Sequence, residues 1–315
     1  MNFSPNRTPC TVLMPVRNGE KHLRNSLDNL IKITSSHDQV LIIDDGSTDS
    51  TKVILREFQQ TYDRIHVISL PASGIVPALN LGLENAVHEY IARADVDDIY
   101  REDRLDLQIK FLNSELDVAA VFSDYVFWNE SHEDLGYMPT GVIRSATKLS
   151  AVDAFRLPHP SVVFRKSAVI EVGCYQESEF PAEDLGLWLR LLKNYELASV
   201  SQPLLRYQVN PSGISSTRRE EMLRKKNVLL STLDFNKLLR DNIDTYSDIK
   251  KAYKCLDYRF ERLVLHNIDL LICLYRSDLV FSARIRILAK IMVRLFNPRV
   301  LTALFILLHQ RVARK

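Results

Sequence analysis

The chain begins with short apolar runs that alternate with stretches in which apolar residues recur at helical spacing. The runs are typical of strands, and they lie at residues 11–16, 40–43, 65–70 and 90–94. Between them, apolar positions three or four apart predict amphipathic helices near residues 20–33, 50–60 and 76–87. This alternation is typical of βαβ units, so we expect an α/β fold with a mainly parallel sheet flanked by helices on both faces.

The same two patterns continue at wider intervals beyond residue 100. Apolar runs at 118–122 and 161–164 predict further strands, and the spacing that starts at Leu105 predicts a helix between strands. A later apolar helix is predicted after the acidic pair Glu183-Asp184. Negative charge is favourable at a helix N-terminus, which is consistent with that starting point.

The frequency of turn residues and the sign of the net charge both change at one point in the chain. All nine glycines lie at or before Gly213, and eleven of the twelve prolines lie at or before Pro211. Residues 214–315 carry 21 Lys and Arg against 10 Asp and Glu, whereas residues 1–213 carry 20 against 29. We therefore predict an acidic, turn-rich first domain at 1–213 and a basic, helical C-terminal region at 214–315.

The last part of that basic region has the composition of a surface-binding segment. Residues 279–315 contain eight Lys and Arg and no acidic residue, and their longest apolar run is far shorter than the ~20 residues that span a bilayer. We expect peripheral contact with the inner face of an anionic membrane, or else packing on the first domain or another subunit. Aromatic residues are not interleaved with these charges, so no nucleic acid is expected as a partner.

The N-terminal residues contain no apolar segment long enough for a signal peptide. We therefore expect the protein to be cytoplasmic.

Acidic residues follow two of the predicted strands. Asp44-Asp45 ends the second apolar run, and the cluster Asp95-Val96-Asp97-Asp98 follows the fourth. Ligands of parallel α/β sheets bind beyond the C-terminal ends of the strands. Clustered carboxylates repel one another, so the cluster favours a bound cation, and oxygen ligands favour Mn²⁺ or Mg²⁺. Such an ion would bridge a diphosphate.

Two common nucleotide-binding fingerprints are missing from the sequence. It contains no GxxxxGK[ST] loop, which excludes a P-loop NTPase, and no GxGxxG, which argues against a dinucleotide dehydrogenase. An acidic cluster at a strand end then points to a nucleotide diphosphate that is bound through a metal.

Four segments together resemble the family 2 glycosyltransferases, which have the GT-A fold, and among them bacterial enzymes that build surface polysaccharide or lipopolysaccharide. They are VLMPVRN at 12–18, IDDGSTD at 43–49, YIARADVDD at 90–98 with the glycines and Asn80 that precede it, and EDLGLW at 183–188. Each segment alone is a weak signal, but all four occur in the family's order. The resemblance implies that residues 1–213 form a GT-A catalytic domain.

The resemblance also implies residues that bind the donor, a nucleotide-sugar. Asp45 would hydrogen-bond the base, usually uracil, which makes a UDP-sugar the expected donor. Pro15, Val16 and Arg17 would line the nucleotide pocket, and Asn80 belongs to a segment that binds the nucleotide-sugar.

The reacting groups are implied in the same way. Asp95 would face the ribose or the sugar, Asp97 would contact the Mn²⁺ or Mg²⁺, and Asp184 would be the catalytic base. That base takes a proton from a hydroxyl of a saccharide or lipid-linked acceptor as the oxygen attacks the anomeric carbon, and the configuration inverts. The sequence lacks the QxxRW signature of processive polymerases, which favours addition of a single sugar.

Local structural roles remain open for several of these residues. Asp44-Asp45 can belong to a turn in which Ser47, Thr48 or Asp49 caps the next helix. Glu183 is a rival base to Asp184.

Further alternatives concern residues outside the acidic segments. Trp188 is expected in the core rather than against a sugar, and His159 is expected to be structural rather than a metal or phosphate contact. Arg206 and Tyr207 follow a predicted strand, where a closing loop could bring them to the diphosphate.

Two other functions are alternatives to sugar transfer for a chain with this pattern. A non-catalytic nucleotide-sugar binder or membrane scaffold could retain this fold, although it has no need of the full acidic set. A nucleotidyltransferase would require a glycine-rich, basic loop after the first strand, where only Arg17-Asn18-Gly19 is present.

Overall fold

The structure is a computed structural model that describes residues 7–129, 131, 133–138, 140, 157–210 and 213–231. The chain divides into two compact units, Met1–Thr232 and Leu233–Lys315, and every described residue belongs to the first. The interfacial helices predicted within 279–315 therefore lie outside the described residues. The domain boundary at 213 and the membrane contact stay predictions.

The first half of the fold is a regular succession of strands and helices. Its elements are β1 (Cys10–Val16), α1 (Leu23–Ile33), β2 (Gln39–Asp45), α2 (Thr51–Thr61), β3 (Ile65–Leu70), α3 (Ile75–Asn85) and β4 (Tyr90–Arg93). The four strands pair in parallel in the order β3-β2-β1-β4. All seven elements were predicted from the apolar pattern, and their bounds differ from the prediction by at most three residues.

The second half extends the same sheet with mixed pairing. Its elements are β5 (Ile99–Tyr100), α4 (Arg104–Ser114), β6 (Val118–Trp128), β7 (Asp134–Met138), β8 (Val163–Arg165), α5 (Lys166–Glu171), α6 (Glu183–Leu191), β9 (Glu196–Gln208), α7 (Ile214–Thr217) and α8 (Arg219–Ser231). The order continues from β4 as β8-β6-β9-β5, with β7 beside β6. Within the described part, β6 and β9 are parallel, whereas β4/β8, β6/β8, β6/β7 and β5/β9 are antiparallel.

Connection handedness explains why helices cover both faces of the sheet. The chain moves from β1 to β2 to β3 in one direction and returns from β3 to β4 in the other, and right-handed crossovers then place α3 opposite α1 and α2. Gly82 of α3 lies directly on the odd-numbered face of β1, where a β-carbon would be 2.2 Å from Leu13 Cδ1. The even-numbered face, with Val12 and Met14, packs into a core shared with α1, α2 and α4. The predicted α/β architecture is thus confirmed.

No helix of the described residues is long and apolar enough to cross a membrane.

Candidate active site

Backbone and side-chain hydrogen bonds join the loop after β1 to the loop after β2. Ser47 Oγ accepts from the Asn18 backbone N–H at 2.9 Å, and Asn18 Oδ1 accepts from the Thr48 N–H at 2.8 Å. Thr51 Oγ1 accepts from the Gly19 N–H at 2.8 Å. Asn18 has φ 53°, a left-handed conformation that Asn tolerates better than most residues. These bonds fix the two loops as one rim beside the strand ends.

The prediction that Ser47 or Thr48 caps α2 is wrong. The helix begins at Thr51, and the residue before it, Ser50, makes no capping bond with its side chain. The hydroxyl of Ser47 and the backbone of Thr48 are instead bonded to Asn18 across the rim. Asp49, the third residue considered for this role, does bond the start of the helix, because its Oδ1 accepts from the Thr51 N–H at 3.0 Å.

The acidic loop after β4 packs directly on this rim. A β-carbon at Gly19 would lie 2.6 Å from Val16 Cγ2 and 3.0 Å from Val96 Cγ2, so only glycine lets the loops approach so closely. Asp95 and Asp97, on either side of Val96, are thereby placed next to the end of β1. Pro15 and Val16 are buried there, whereas Arg17 is exposed.

Asp45 is the last residue of β2 and is only 5% exposed. Its Oδ1 accepts from the Ser73 N–H at 2.6 Å, and its Oδ2 accepts from the Gly74 N–H at 3.0 Å. Asp44, beside it, accepts from the Ser47 N–H at 3.0 Å. The Asp45 carboxylate is therefore fixed against the segment that leads into α3. Its predicted contact with the nucleotide base stays a prediction.

Asn80 connects α3 to a distant part of the chain. Its Nδ2 donates to the Tyr175 carbonyl at 2.9 Å, and its Oδ1 accepts from the Tyr175 N–H at 3.0 Å. Both ends of the amide are thus used to hold Tyr175. A direct bond from Asn80 to the donor, as the sequence suggested, would have to share these groups, so its binding role stays a prediction.

The acidic cluster begins with Asp95, which is held on two sides. Arg93 Nη2 lies 2.6 Å from Asp95 Oδ1, and the Asp95 backbone N–H donates to the Tyr100 hydroxyl at 2.8 Å. The Asp95 side chain is 31% exposed, whereas that of Arg93 is 4% exposed. The carboxylate therefore reaches the surface while its partner cation remains inside.

Asp97 is bound by the segment that follows β9. Asn210 Nδ2 donates to Asp97 Oδ2 at 3.0 Å. Burial raises the pKa of the Asp97 carboxyl, and the charge of Asp95 raises it further. A carboxylate that is costly to ionise in the free protein is well suited to gain a cation.

Asp98 has a structural position beneath the cluster. It is 1% exposed, and its Oδ1 accepts from the Gln208 N–H at 2.8 Å, which attaches the acidic loop to the end of β9. Its Oδ2 is buried and lacks a hydrogen-bond partner within the part of the chain that the structure describes. Burial, followed by the charges of Asp97 and Asp95, raises the pKa of Asp98 well above its usual value.

The second acidic group lies in the first turn of α6. Asp184 is half-buried, and its Oδ1 accepts from the Leu185 N–H at 2.7 Å. Glu183 Oε2 is buried, and no described residue forms a hydrogen bond with it. Burial and the charge of Asp184 raise the pKa of Glu183 to about 7.

Tyr175 shows that the two acidic groups are brought together. It is 3% exposed, and burial raises the pKa of its phenol. The charge of Arg93 lowers that pKa, whereas those of Glu183, Asp184 and Asp95 raise it. Carboxylates from β4 and from α6 thus lie within electrostatic range of a single side chain, although about ninety residues separate them in sequence.

Two aromatic residues that the sequence left open complete the surroundings of Tyr175. His159 Nε2 lies 2.8 Å from the Tyr175 hydroxyl, and burial holds the pKa of His159 well below its usual value. Trp188 is fully buried, with its ring 5.0 Å from that of Phe122 and 5.8 Å from that of His159. These contacts agree with the structural roles expected for both residues.

The alternative in which a closing loop carries Arg206 and Tyr207 is excluded, because both lie inside β9. Arg206 Nη2 lies 2.7 Å from Asp134 Oδ1, and its guanidinium is over the Trp128 ring at 5.1 Å. Strand pairing with β5 and β6 therefore fixes these residues in the sheet.

The carboxylates of the site fit a divalent metal in only one mode of binding, in which substrate phosphates supply further ligands. Among the described residues, no three His, Cys, Asp or Glu side chains are arranged to hold an ion on their own. Mg²⁺ and similar ions are commonly held by one or two carboxylates together with substrate phosphates. Asp97, with Asp95 beside it, fits that mode.

Sequence reasoning missed Arg93 and Tyr175. A charged residue within the apolar run Tyr90-Ile-Ala-Arg-Ala94 was an available signal, because an unpaired arginine is rarely tolerated in a buried strand. Tyr175 lies in a segment without periodic pattern, and its position depends on Asn80, 95 residues earlier.

Glu183→Gln is expected to stabilise the protein in the absence of ligand at pH 8. Because the folded-state pKa of Glu183 is raised, ionisation opposes folding, and stability falls as pH rises from its unfolded value near 4.5 to about 7. The variant removes this cost, so we expect a gain of about 1–3 kcal/mol at pH 8 and none below pH ~5. Denaturant unfolding at both pH values measures it.

The exposed Glu177 provides the matched control for that comparison. Glu177→Gln should change stability little at either pH. Equal stability of Glu183→Gln and the unchanged protein at pH 8 would show that the carboxylate is not costly where it lies.

Comparison with known sequences assigns most of this architecture to one family. The family described as "Glycosyl transferase family 2" matches residues 11–173. The UDP-Gal:alpha-D-GlcNAc-diphosphoundecaprenol beta-1,3-galactosyltransferase of Escherichia coli is 30% identical over 191 residues, which is 58% of this chain and 68% of that protein. The amylovoran biosynthesis glycosyltransferase AmsE of Erwinia amylovora is 28% identical over 215 residues, which is 66% of this chain and 79% of AmsE.

Solved structures with low sequence identity share the fold. S. aureus TarS 1-349 in complex with UDP aligns with a TM-score of 0.54 at 17% identity, over 91% of this chain and 71% of that one. The full TarS chain is longer, and this chain covers 43% of it. Mannosyltransferase PcManGT from Pyrobaculum calidifontis, in complex with GDP-Man and Mn²⁺, aligns with a TM-score of 0.55 at 17% identity, over 94% and 83%.

Proposed function

Because the chain belongs to glycosyltransferase family 2, we propose that it transfers a sugar from a nucleotide diphosphate, most simply a UDP-sugar, to a saccharide or lipid-linked acceptor in the synthesis of a cell-surface polysaccharide, with inversion at the anomeric carbon. Two relatives support this substrate class: one is named for UDP-Gal and a diphosphoundecaprenol acceptor, and the other for amylovoran biosynthesis.

The observation that carries the proposal is the convergence of the two acidic groups around Tyr175. Asp95, two residues after β4, and Asp184, in the first turn of α6, both lie within electrostatic range of the Tyr175 phenol, whose hydroxyl lies 2.8 Å from His159 Nε2. A donor held at the strand ends would therefore lie beside a carboxylate that can accept a proton. A protein that only bound the donor would not require the second group.

In the proposed reaction, Asp184 takes the proton of an acceptor hydroxyl while that oxygen forms a bond to the anomeric carbon. The bond from that carbon to the phosphate oxygen breaks, and the nucleoside diphosphate leaves with the electron pair. A positioned general base contributes about 10²–10⁴-fold in rate. A divalent metal held by Asp97, when bound, would offset the negative charge of the diphosphate.

The remaining residues bind and orient the donor in this proposal. Asp45 contacts the base, Pro15, Val16 and Arg17 form the wall of the nucleotide pocket, and Asp95 faces the ribose or sugar. The rim bonds around Asn18 keep this wall fixed, which reduces the ordering that must accompany binding.

A thermal-shift screen with Mn²⁺ tests the donor half of the proposal. UDP and at least one UDP-sugar are expected to raise the melting temperature, because a ligand present at 100 times its Kd stabilises by about 2.7 kcal/mol. GDP and GDP-mannose form the alternative arm, and ATP is the control. Stabilisation by guanosine nucleotides alone would overturn the uridine assignment.

The acceptor half requires a measurement of transfer. Release of nucleoside diphosphate should depend on an undecaprenyl-diphosphate sugar or a short saccharide, and on Mn²⁺ or Mg²⁺. Donor binding without release, across a panel of such acceptors, would identify a non-catalytic nucleotide-sugar binder instead.

A further inference from the structure

Arg93 is a buried cation at the point where the two acidic groups meet. It is the last residue of β4 and is 3% exposed. Its Nη1 donates to the Ala94 carbonyl and its Nη2 to Asp95 Oδ1, whereas its buried Nε has no hydrogen-bond partner among the described residues. Desolvating a guanidinium is costly, so its single carboxylate contact is of particular weight for the Asp95 orientation.

The charge of Arg93 acts on both sides of the site. On the donor side its Nη2 lies 2.6 Å from Asp95 Oδ1, and on the side of the proposed base its charge lowers the pKa of Glu183. It also lowers the pKa of Tyr175 and His159, which lie between them. The guanidinium is therefore within electrostatic range of four groups that belong to four separate segments.

A guanidinium at this position has two physical effects. The planar guanidinium bonds the Ala94 carbonyl with one nitrogen and Asp95 Oδ1 with the other, which orients a carboxylate whose side chain is 31% exposed. Its positive charge also offsets repulsion among the neighbouring carboxylates. A lysine would supply the second effect but not the first.

We infer that Arg93 is a positioning residue that holds the Asp95 carboxylate in its donor-binding orientation and places its positive charge within range of Glu183. The inference rests on the proposed function, since it assigns the donor to Asp95 and proton transfer to the acidic pair. Arg93 acts on the substrates through these residues.

Three variants separate the orienting effect of the Arg93 guanidinium from the effect of its positive charge. Arg93→Met removes both, and Arg93→Lys retains the charge without the fork. Arg165→Met is the matched control, because Arg165 lies on β8 opposite Tyr90, at the other end of the β4/β8 pairing. Its donors bond the backbone carbonyls of Val118 and Leu112, which lie away from the acidic residues.

The first measurement is the affinity for UDP in the presence of Mn²⁺, by titration calorimetry. We expect Kd to rise about 10- to 100-fold in Arg93→Met and Arg93→Lys, the size associated with losing a hydrogen bond between charged groups. Arg165→Met should bind UDP as the unchanged protein does. Absence of UDP and GDP binding to the unchanged protein would refute the proposed function itself, independently of Arg93.

The second measurement is the pH profile of kcat. The groups that act on Glu183 are Asp184 on α6, Arg93 on β4 and Lys226 on α8, and Glu183 in turn acts on Tyr175. Loss of the Arg93 charge leaves Glu183 harder to ionise, so the acid limb that follows Glu183 should move up by about one pH unit in Arg93→Met. Arg93→Lys should retain the original limb.

A purely structural arginine would give a different pattern. Arg93→Met would then lower the melting temperature, as Arg165→Met does, and leave both Kd and the acid limb unchanged, which would overturn the inference. If Arg93→Met fails to fold, Arg93→Lys still decides: a raised Kd with an unmoved limb supports the inference, and an unchanged Kd refutes it.

Discussion

Asp184→Asn is expected to lower kcat for sugar transfer by about 10²–10⁴-fold, with little change in the affinity for the nucleotide donor. The amide has nearly the same shape as the carboxylate, and its oxygen can still accept from the Leu185 N–H, so the first turn of α6 should be preserved. What the variant loses is the ability to take a proton. Steady-state kinetics with saturating acceptor, together with calorimetric titration of UDP, separates the two effects.

Glu183→Gln is the internal comparison for that experiment, because Glu183 is the neighbouring carboxylate and the rival base. We expect it to retain much more activity than Asp184→Asn. The reverse order would transfer the role of base to Glu183. Loss of UDP binding in Asp184→Asn would instead show that the residue supports the donor pocket.

Asp97→Ala is expected to abolish the Mn²⁺-dependent part of nucleotide binding and to reduce transfer by at least about 10²–10³-fold. Asp97 is the carboxylate best placed to share a cation with the donor phosphates, and burial together with Asp95 raises its pKa in the free protein. Removing it also relieves repulsion, so the fold should be no less stable. Calorimetric titration of Mn²⁺ in the presence of UDP measures the first effect.

Asp103→Ala is the matched control, since Asp103 lies six residues later, its side chain is 51% exposed and it pairs with Arg101 at the surface. It should leave metal binding and activity unchanged. A Mn²⁺-dependent stabilisation that persists in Asp97→Ala would exclude Asp97 as the metal contact and direct attention to Asp95.

The parallel half of the fold was predictable from sequence because its information is local. Each strand is an apolar run and each helix has its own periodicity, and β3 was predicted with the bounds that it has. The elements of the second half of the fold were harder to predict from the sequence. β5 has two residues, too few for a period, and exists because Ile99 pairs with Arg206 more than a hundred residues later.

The candidate site divides along the same line. The acidic residues could be found because they follow recognisable strands, and their order along the chain supported the family resemblance. Its charge within an apolar run marks Arg93 as a residue that needs a partner, but which partner it has, and the roles of Tyr175 and Asn210, depend on contacts made only by the folded sheet. The hydroxyl of Ser47 was misassigned because capping is a local rule, and a neighbouring loop competed successfully for the same group.

The change from parallel to antiparallel pairing at β4 and β8 also bears on how such proteins diversify. Asp45 and Asp95, assigned to the donor, belong to the parallel half, whereas Asp184 belongs to the part of the chain that follows β8. Acceptor preference can then diverge among relatives, or be exchanged between them by recombination. The parallel half, with Asp45 and Asp95, is inherited unchanged in both cases. Any such chimera must retain the pair of hydrogen bonds between the Asn80 side chain and the Tyr175 backbone, because they connect the two halves.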